Sequence, residues 1–267
     1  MLYKTYIIME IIKFLRSIHY GNREFLGSEY NKLPKVKISE KSFNRYLVDW
    51  KKEGLIYSAG RGWYSDIPEE FVLYTEPLVE LNAFLAKAFP LLTFVCWLTR
   101  QLTSYYHNLP GKFHTFIYVD RYSMRDVAGA LQEEYPDAAI LVDPGKQAIS
   151  NFSPKDNNFI VRPILYDDRK FAEDPCLHIE NILVDLAIEA ETLSLMDESE
   201  YSTIVIDVAS SGRIKPGVIA RRLTRRKAKN GYCDILRRYF QMGQKSTNVN
   251  SLKKVTLIDN VSGSKKK

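Results

Sequence analysis

Residues 39–65 read SEKSFNRYLVDWKKEGLIYSAGRGWYS, and the order of parts in this stretch sets the expectation for the fold. Phe43, Leu47 and Trp50 stand at i, i+4 and i+7, so they share one helical face and point to a core. Lys41, Ser42, Asn44, Arg45 and Lys52 fall largely outside that stripe. Gly54 follows a last turn rich in lysine, which is where glycine ends a helix. Leu55-Ile56-Tyr57 and Trp63-Tyr64 then read as two short strands flanking Ser58-Ala59-Gly60-Arg61-Gly62. The two glycines permit a tight turn with Arg61 at its tip. Helix, strand, arginine-tipped hairpin is the order of a winged helix-turn-helix, a fold that most often reads DNA and that also serves as a protein-contact module.

The preceding residues extend the pattern. Ile8, Ile11, Ile12, Leu15 and Ile18 form an apolar stripe over an expected first helix, residues 3–18. Ser28 is the expected cap of a short second helix through Lys32, ended by Pro34. In a helix-turn-helix the early residues of the second motif helix reach base edges, while flanking cations hold phosphates. Asn44 and Arg45 are therefore the candidate base readers. Lys41, Lys52 and Arg61 are candidate phosphate contacts, and Ser42 joins the same DNA-facing set. Each is also readable as an ordinary solvated side chain.

Charge is segregated along the chain. Residues 1–65 carry a net +6, residues 66–212 a net −14 and residues 213–267 a net +14. Such blocks point to different partners for different regions. A basic amino-terminal module suits a polyanion; the acidic middle suits a basic protein or the chain's own basic end. With 267 residues, 45% hydrophobic and 26% charged, the chain has room for two domains with real cores. The three cysteines and four histidines are scattered, which argues against a disulfide framework or a structural zinc site. No cofactor is expected. The amino terminus has no secretory pattern, and Leu91 to Leu98 is far shorter than the roughly 20 residues of a membrane span. A cytoplasmic protein is the expectation.

Asp66-Ile67-Pro68 marks an expected domain boundary, giving a winged helix at 1–65, an α+β domain at 66–240 and a basic, mobile tail at 241–267. Expected helices cover Leu78 to Phe89 and Met124 to Tyr135, the latter capped by Ser123. Expected strands cover Thr115 to Val119, Ala138 to Val142 and Phe159 to Tyr166. Pro163 within the last argues for a sheet edge. Thr93 to Gln101 reads equally as strand or buried helix. Helices alone follow: Ile179 to Leu195, Tyr201 to Ser210, Pro216 to Lys229 and Asp234 to Phe240. Strands early and helices late describe an α+β fold.

Two helices carry patterned charge. From Ile179, the acids Glu180, Asp185, Glu189 and Glu191 hint at acid chemistry or metal binding. Glu180 and Asp185 are five apart and do not stack, so solvated acids or partners for arginine are the preferred account. From Pro216, Arg222, Arg225, Arg226 and Lys229 form one basic stripe at i, i+3, i+4 and i+7. That stripe suits DNA, an acidic partner or the chain's own acidic middle, since arginine's planar fork binds carboxylate and phosphate alike. Contact with nucleic acid or a partner is the favoured reading. Asp137 and Asp143 near Lys146 hint at a metal-dependent nuclease, although Asp143-Pro144-Gly145 is first of all a turn. There is no P-loop and no G-x-S-x-G elbow.

Beyond these readings, the chain resembles the AbiEi-type antitoxins of bacterial abortive-infection systems, over most of residues 1–240. The resemblance rests on a winged helix ending in Glu53-Gly54-Leu55-Ile56 and Gly62-Trp63-Tyr64, followed by an α/β antitoxin-like domain. Within that domain, Pro175-Cys176-Leu177-His178-Ile179-Glu180-Asn181-Ile182-Leu183-Val184-Asp185-Leu186 is similar to the family's Pro-Ser-x-Glu-Lys-x-Leu-Val-Asp element. Asn181 stands where lysine is more usual. Ala220-Arg221-Arg222 and the basic run after it are similar too. The resemblance implies a non-enzymatic, double-stranded-DNA-binding repressor of its own promoter. It also implies a carboxyl-terminal domain that opposes an AbiEii-type nucleotidyltransferase toxin without a stable complex. The alternative is a stand-alone transcriptional regulator whose second domain binds a ligand or dimerises.

Overall fold

Apolar stripes at helical spacing become three helices and a small sheet at the start of the chain, in a computed structural model that describes residues 2–33, 39–145, 153–165 and 175–240. Pro34, Lys146, the expected strand end at Tyr166 and the tail 241–267 lie outside the described residues. Leu2–Ile18 forms α1, Arg23–Lys32 forms α2 and Glu40–Lys52 forms α3. Ser39 caps α3, its side chain accepting from the Ser42 amide. Phe43, Leu47 and Trp50 are buried as their spacing requires, against Ile11, Leu15, Leu26, Tyr30 and Ile56. Gly54 ends the helix at φ +68°, and the Leu55 amide reaches back to the Trp50 carbonyl at 2.9 Å.

Three details of this region depart from expectation. Ser28 is no cap: it lies inside α2 and bonds to the Phe25 carbonyl, while Asn22 caps the helix through the Phe25 amide. Tyr20–Asn22 is a strand, β1, which pairs antiparallel with β3, Trp63–Ser65. The hairpin's first strand is only Tyr57–Ser58, β2, because Ile56 turns into the core. The sheet order is β1-β3-β2.

The rest of the chain builds a second sheet, so the architecture is mixed α+β. Val79–Ala88 is α4, Val95–Leu98 β4, Thr115–Val119 β5, Met124–Glu134 α5, Ala139–Val142 β6 and Asn158–Pro163 β7. The sheet order is β4-β5-β7-β6, with β4 antiparallel and the other neighbours parallel. Thr93–Gln101 therefore splits into a strand and the start of a 3-10 helix, Thr99–Tyr105. Ser123 makes no side-chain cap bond to α5. Pro163 is not on an edge strand, since β7 lies between β5 and β6. It is tolerated because β6 stops opposite Val161, so no partner strand asks Pro163 for the amide it lacks. Beyond the sheet come Ile179–Leu193 as α6, Glu198–Ser211 as α7, Pro216–Arg226 as α8 and Gly231–Tyr239 as α9. The α8 helix ends earlier than its apolar pattern suggests, at a left-handed Lys227.

A single core joins β1 and the hairpin to the carboxyl-terminal helices: Tyr20 and Ala59 pack with Leu183, Val208, Ile214, Ile219 and Phe240. The Tyr20 hydroxyl accepts from the Ile214 amide at 3.1 Å and faces the Ala209 and Gly212 carbonyls at 3.0 and 2.9 Å, to one of which it donates. Its ring meets Phe240 edge-on at 5.5 Å. Tyr20→Phe is expected to destabilise the protein by about 1–3 kcal/mol, because the buried Ile214 amide loses its acceptor. Chemical denaturation measures this, and an unchanged midpoint contradicts it.

Left-handed His19 closes α1, its ring nitrogen Nδ1 3.1 Å from Asp66 Oδ1 across the junction to the hairpin. The hydrogen bond to Asp66 raises its pKa above the ordinary 6.5, outweighing partial burial. A raised folded-state pKa means a contribution that is complete below about pH 6.5 and lost as pH rises through the folded value. Stability is therefore expected to fall over that rise, and His19→Gln to flatten this component. Thermal melts across the range for both proteins read the difference.

Candidate nucleic-acid interface and the buried charge cluster

The apolar face of α3 is sealed, so its other side is left to solvent. Lys41, Ser42, Arg45 and Lys52 are exposed and Asn44 is half-buried. Lys41, Arg45 and Lys52 make no ion pair among the described residues, whereas the Ser42 hydroxyl sits 3.0 Å from the Ser39 cap. The hairpin turns through Gly60 at φ +96° and Gly62 at φ +75°, which suit glycine alone without strain. Arg61 between them is exposed. The Arg23 amide donates to the Gly62 carbonyl at 2.9 Å, and the Arg23 guanidinium lies 3.8 Å from Glu40 at the start of α3. The start of α2, the start of α3 and the hairpin tip are thus neighbours on one surface.

The second patterned region is buried. Twelve of the fifteen residues of α6 are buried, among them Glu180, Asp185 and Glu189. Arg222 on α8 grips Asp185 with two bonds of 2.9 and 2.5 Å, and Arg226 adds a third at 3.1 Å. Burial pushes the Asp185 carboxyl up, but the two guanidiniums and hydrogen bonds from Arg222 and Tyr118 hold it below its ordinary range. One turn on, Glu189 is bonded bidentately by Arg162 of β7 at 3.0 and 2.6 Å. Burial moves Glu189 upward, with Arg162 opposing. Arg162 also reaches Asp143 and the Pro144 carbonyl. Glu180 accepts from the Lys215 amide at 2.8 Å.

These contacts correct the reading of the α8 stripe. Arg222 is 5% exposed and spent on Asp185, and Arg226 is largely covered beside it, so neither offers a free guanidinium to an outside partner. Arg225 and Lys229 remain at the surface. Asp185 and Glu189 are arginine partners, one of the two expected accounts, and both are buried; Glu180 is buried on a backbone amide, and Glu191 is exposed beside Asn230. The informative spacing is Asp185 with Glu189, at i and i+4, not Glu180 with Asp185. The pair Arg222 and Arg226 repeats that spacing on α8, but both converge on Asp185, and Glu189 takes its arginine from β7. Asp137 and Asp143 lie beyond opposite ends of β6, whose four residues alone span about 13 Å, so they do not share an ion. Asp137 belongs instead to a shallow polar depression with Lys112, Lys155, Asp156 and Asn157, where Lys112 pairs with Asp156.

The chain belongs to a family of unknown function, DUF6577, whose model matches residues 42–242. The match runs from within α3, across the hairpin, and past the end of α9, so it takes in the buried charge cluster and the α3 face from Ser42 onward. No curated protein matches the chain. Among the described residues no helix is long and apolar enough to cross a membrane.

Asp185→Asn is expected to destabilise the protein by about 3–5 kcal/mol, because Arg222 is left buried without its counter-charge. The double variant Asp185→Asn with Arg222→Met should lose less than the two single losses added together. Strict additivity in thermal or chemical unfolding contradicts this coupling.

Proposed function

We propose that this protein is a DNA-binding repressor of the antitoxin type. In this reading α1, α2, α3 and the β1-β3-β2 sheet are a winged helix-turn-helix, with α3 as the recognition helix and β2-β3 as the wing. The observation that carries it is the exposed face of α3: Lys41, Arg45 and Lys52 stand in solvent without intramolecular ion pairs among the described residues, beside a wing tipped by Arg61. Unpaired cations on one face suit a phosphate backbone, where neutralisation releases counterions. Asn44 and Arg45 read base edges; Lys41, Lys52 and Arg61 hold phosphates, with Ser42 beside them.

The antitoxin part rests on the likeness to AbiEi-type proteins and on one spatial fact. The two short carboxyl-terminal motifs that carry the likeness meet through the Asp185–Arg222 pair. On this reading the protein represses its own promoter in the cytoplasm and opposes an AbiEii-type nucleotidyltransferase toxin. It performs no catalysis itself and needs no cofactor.

A gel-shift titration of the purified chain against its own upstream DNA and a scrambled duplex, at several salt concentrations, tests the first half. Preferential binding that weakens steeply with salt is expected. Equal or absent binding overturns the repressor reading and makes the module a protein-contact surface. Asn44→Ala or Arg45→Ala should reduce discrimination between the duplexes by about 1–3 kcal/mol for a bidentate base contact. Arg61→Ala should weaken both duplexes alike; a change in preference for one base contradicts the phosphate assignment.

A further inference from the structure

The hairpin does not project freely. Ala59 is 1% exposed within the core shared with the carboxyl-terminal helices, and Trp63 packs against the same core. A methyl group placed on Gly60 would lie 3.6 Å from Lys215 Cβ. One placed on Gly217 would lie 3.6 Å from the Trp63 ring and 3.8 Å from Arg221 Nη1. The hairpin therefore lies against the start of α8, with Lys215 beside its tip and Arg221 one turn beyond Gly217. Both side chains are exposed, and neither forms an ion pair among the described residues. Glu180, the acid bonded at Lys215, is buried and takes its amide, while the Lys215 side chain is exposed.

Contacts between neighbouring elements connect this pair to α3. Arg23 touches Glu40 at the head of α3 and bonds through its amide to Gly62; Gly60 abuts Lys215; Trp63 abuts Gly217, on the same helix as Arg221. Arg45, Lys41, Arg61, Lys215 and Arg221, with the Arg23–Glu40 pair between them, thus mark a band of cations across two parts of the chain, fixed by packing. Unneutralised charges of one sign repel one another, and a polyanion of regular spacing relieves that repulsion.

We infer that duplex DNA occupies this band beyond the wing, with Lys215 and Arg221 as phosphate contacts supplied by the carboxyl-terminal part. The inference rests on the repressor reading and extends its footprint. The two parts of the chain then bind DNA together, since the second part both holds the wing and continues its surface.

The test is a fluorescence-anisotropy titration of the full chain with the upstream and scrambled duplexes over a salt series, for wild type, Lys215→Gln and Lys215→Gln/Arg221→Gln. Each phosphate contact contributes about 0.9 to the log–log salt slope. The single variant should lower that slope by about 0.9 and the double variant by about 1.8. Both duplexes should weaken by the same factor, since phosphate contacts carry no sequence information. Lys87→Gln, an exposed charge on α4, should change nothing. Wild-type binding with an unchanged slope in the double variant overturns the inference and leaves the repressor reading standing. A loss confined to the upstream duplex overturns the phosphate role. No binding by wild type fails the repressor reading itself, and this inference with it.

Discussion

A carboxylate removed from water costs several kcal/mol unless its charge is met at close range and its lone pairs are filled. Asp185 has no exposed side chain, and Arg222 and Arg226 meet it from α8, with the Arg226 guanidinium lying over the Tyr118 ring of β5 at 5.6 Å. Three elements must therefore be in place together before α6 can be buried. Glu189 repeats the condition one turn later with Arg162 of β7. The two carboxylates fix the rotation and the height of α6 against the sheet, which apolar packing alone leaves adjustable by a residue or so. Everything docked on α6 inherits that position, including the head of α8 that carries Lys215.

From there the constraint passes to the amino-terminal helices. Lys215 gives its amide to Glu180, and the adjacent Ile214 gives its amide to Tyr20. Two neighbouring residues thus bind α6 on one side and β1 on the other. The hairpin is held between them through Ala59 and Trp63. A surface presented by α3 and the hairpin is for this reason referenced to the core of the whole chain, not to a flexible joint at Asp66.

What is legible in the sequence is what is local. The α3 stripe of Phe43, Leu47 and Trp50, the stop at Gly54 and the glycine turn around Arg61 each depend on residues within one or two turns of chain, and each stands as read. The strand at Tyr20–Asn22 escapes a sequence reading because three residues have no period to detect; Asn22 ahead of Arg23-Glu24 is the cap signal that was available. The sequence leaves the α6 acids open between solvent and an arginine partner, because a helix buried on both faces carries a charged residue inside only when a distant partner exists. Arg222 is 37 residues away in sequence from Asp185. That partnership is invisible to periodicity on either helix alone, and the partner of Glu189 lies on a strand, Arg162 of β7.

The Tyr20 hydroxyl finds all its partners 189 to 194 residues downstream. At roughly 5–20 residues per second, a ribosome takes about 10–40 s to make that intervening chain. During that interval the three amino-terminal helices have their own small core but neither the anchor for β1 nor the support for the hairpin. Loop-closure entropy over so long a span also falls on the last step. The nascent chain is thus exposed to wrong pairing at one defined place, the unanchored edge strand β1, until α7 and the head of α8 emerge to hold it.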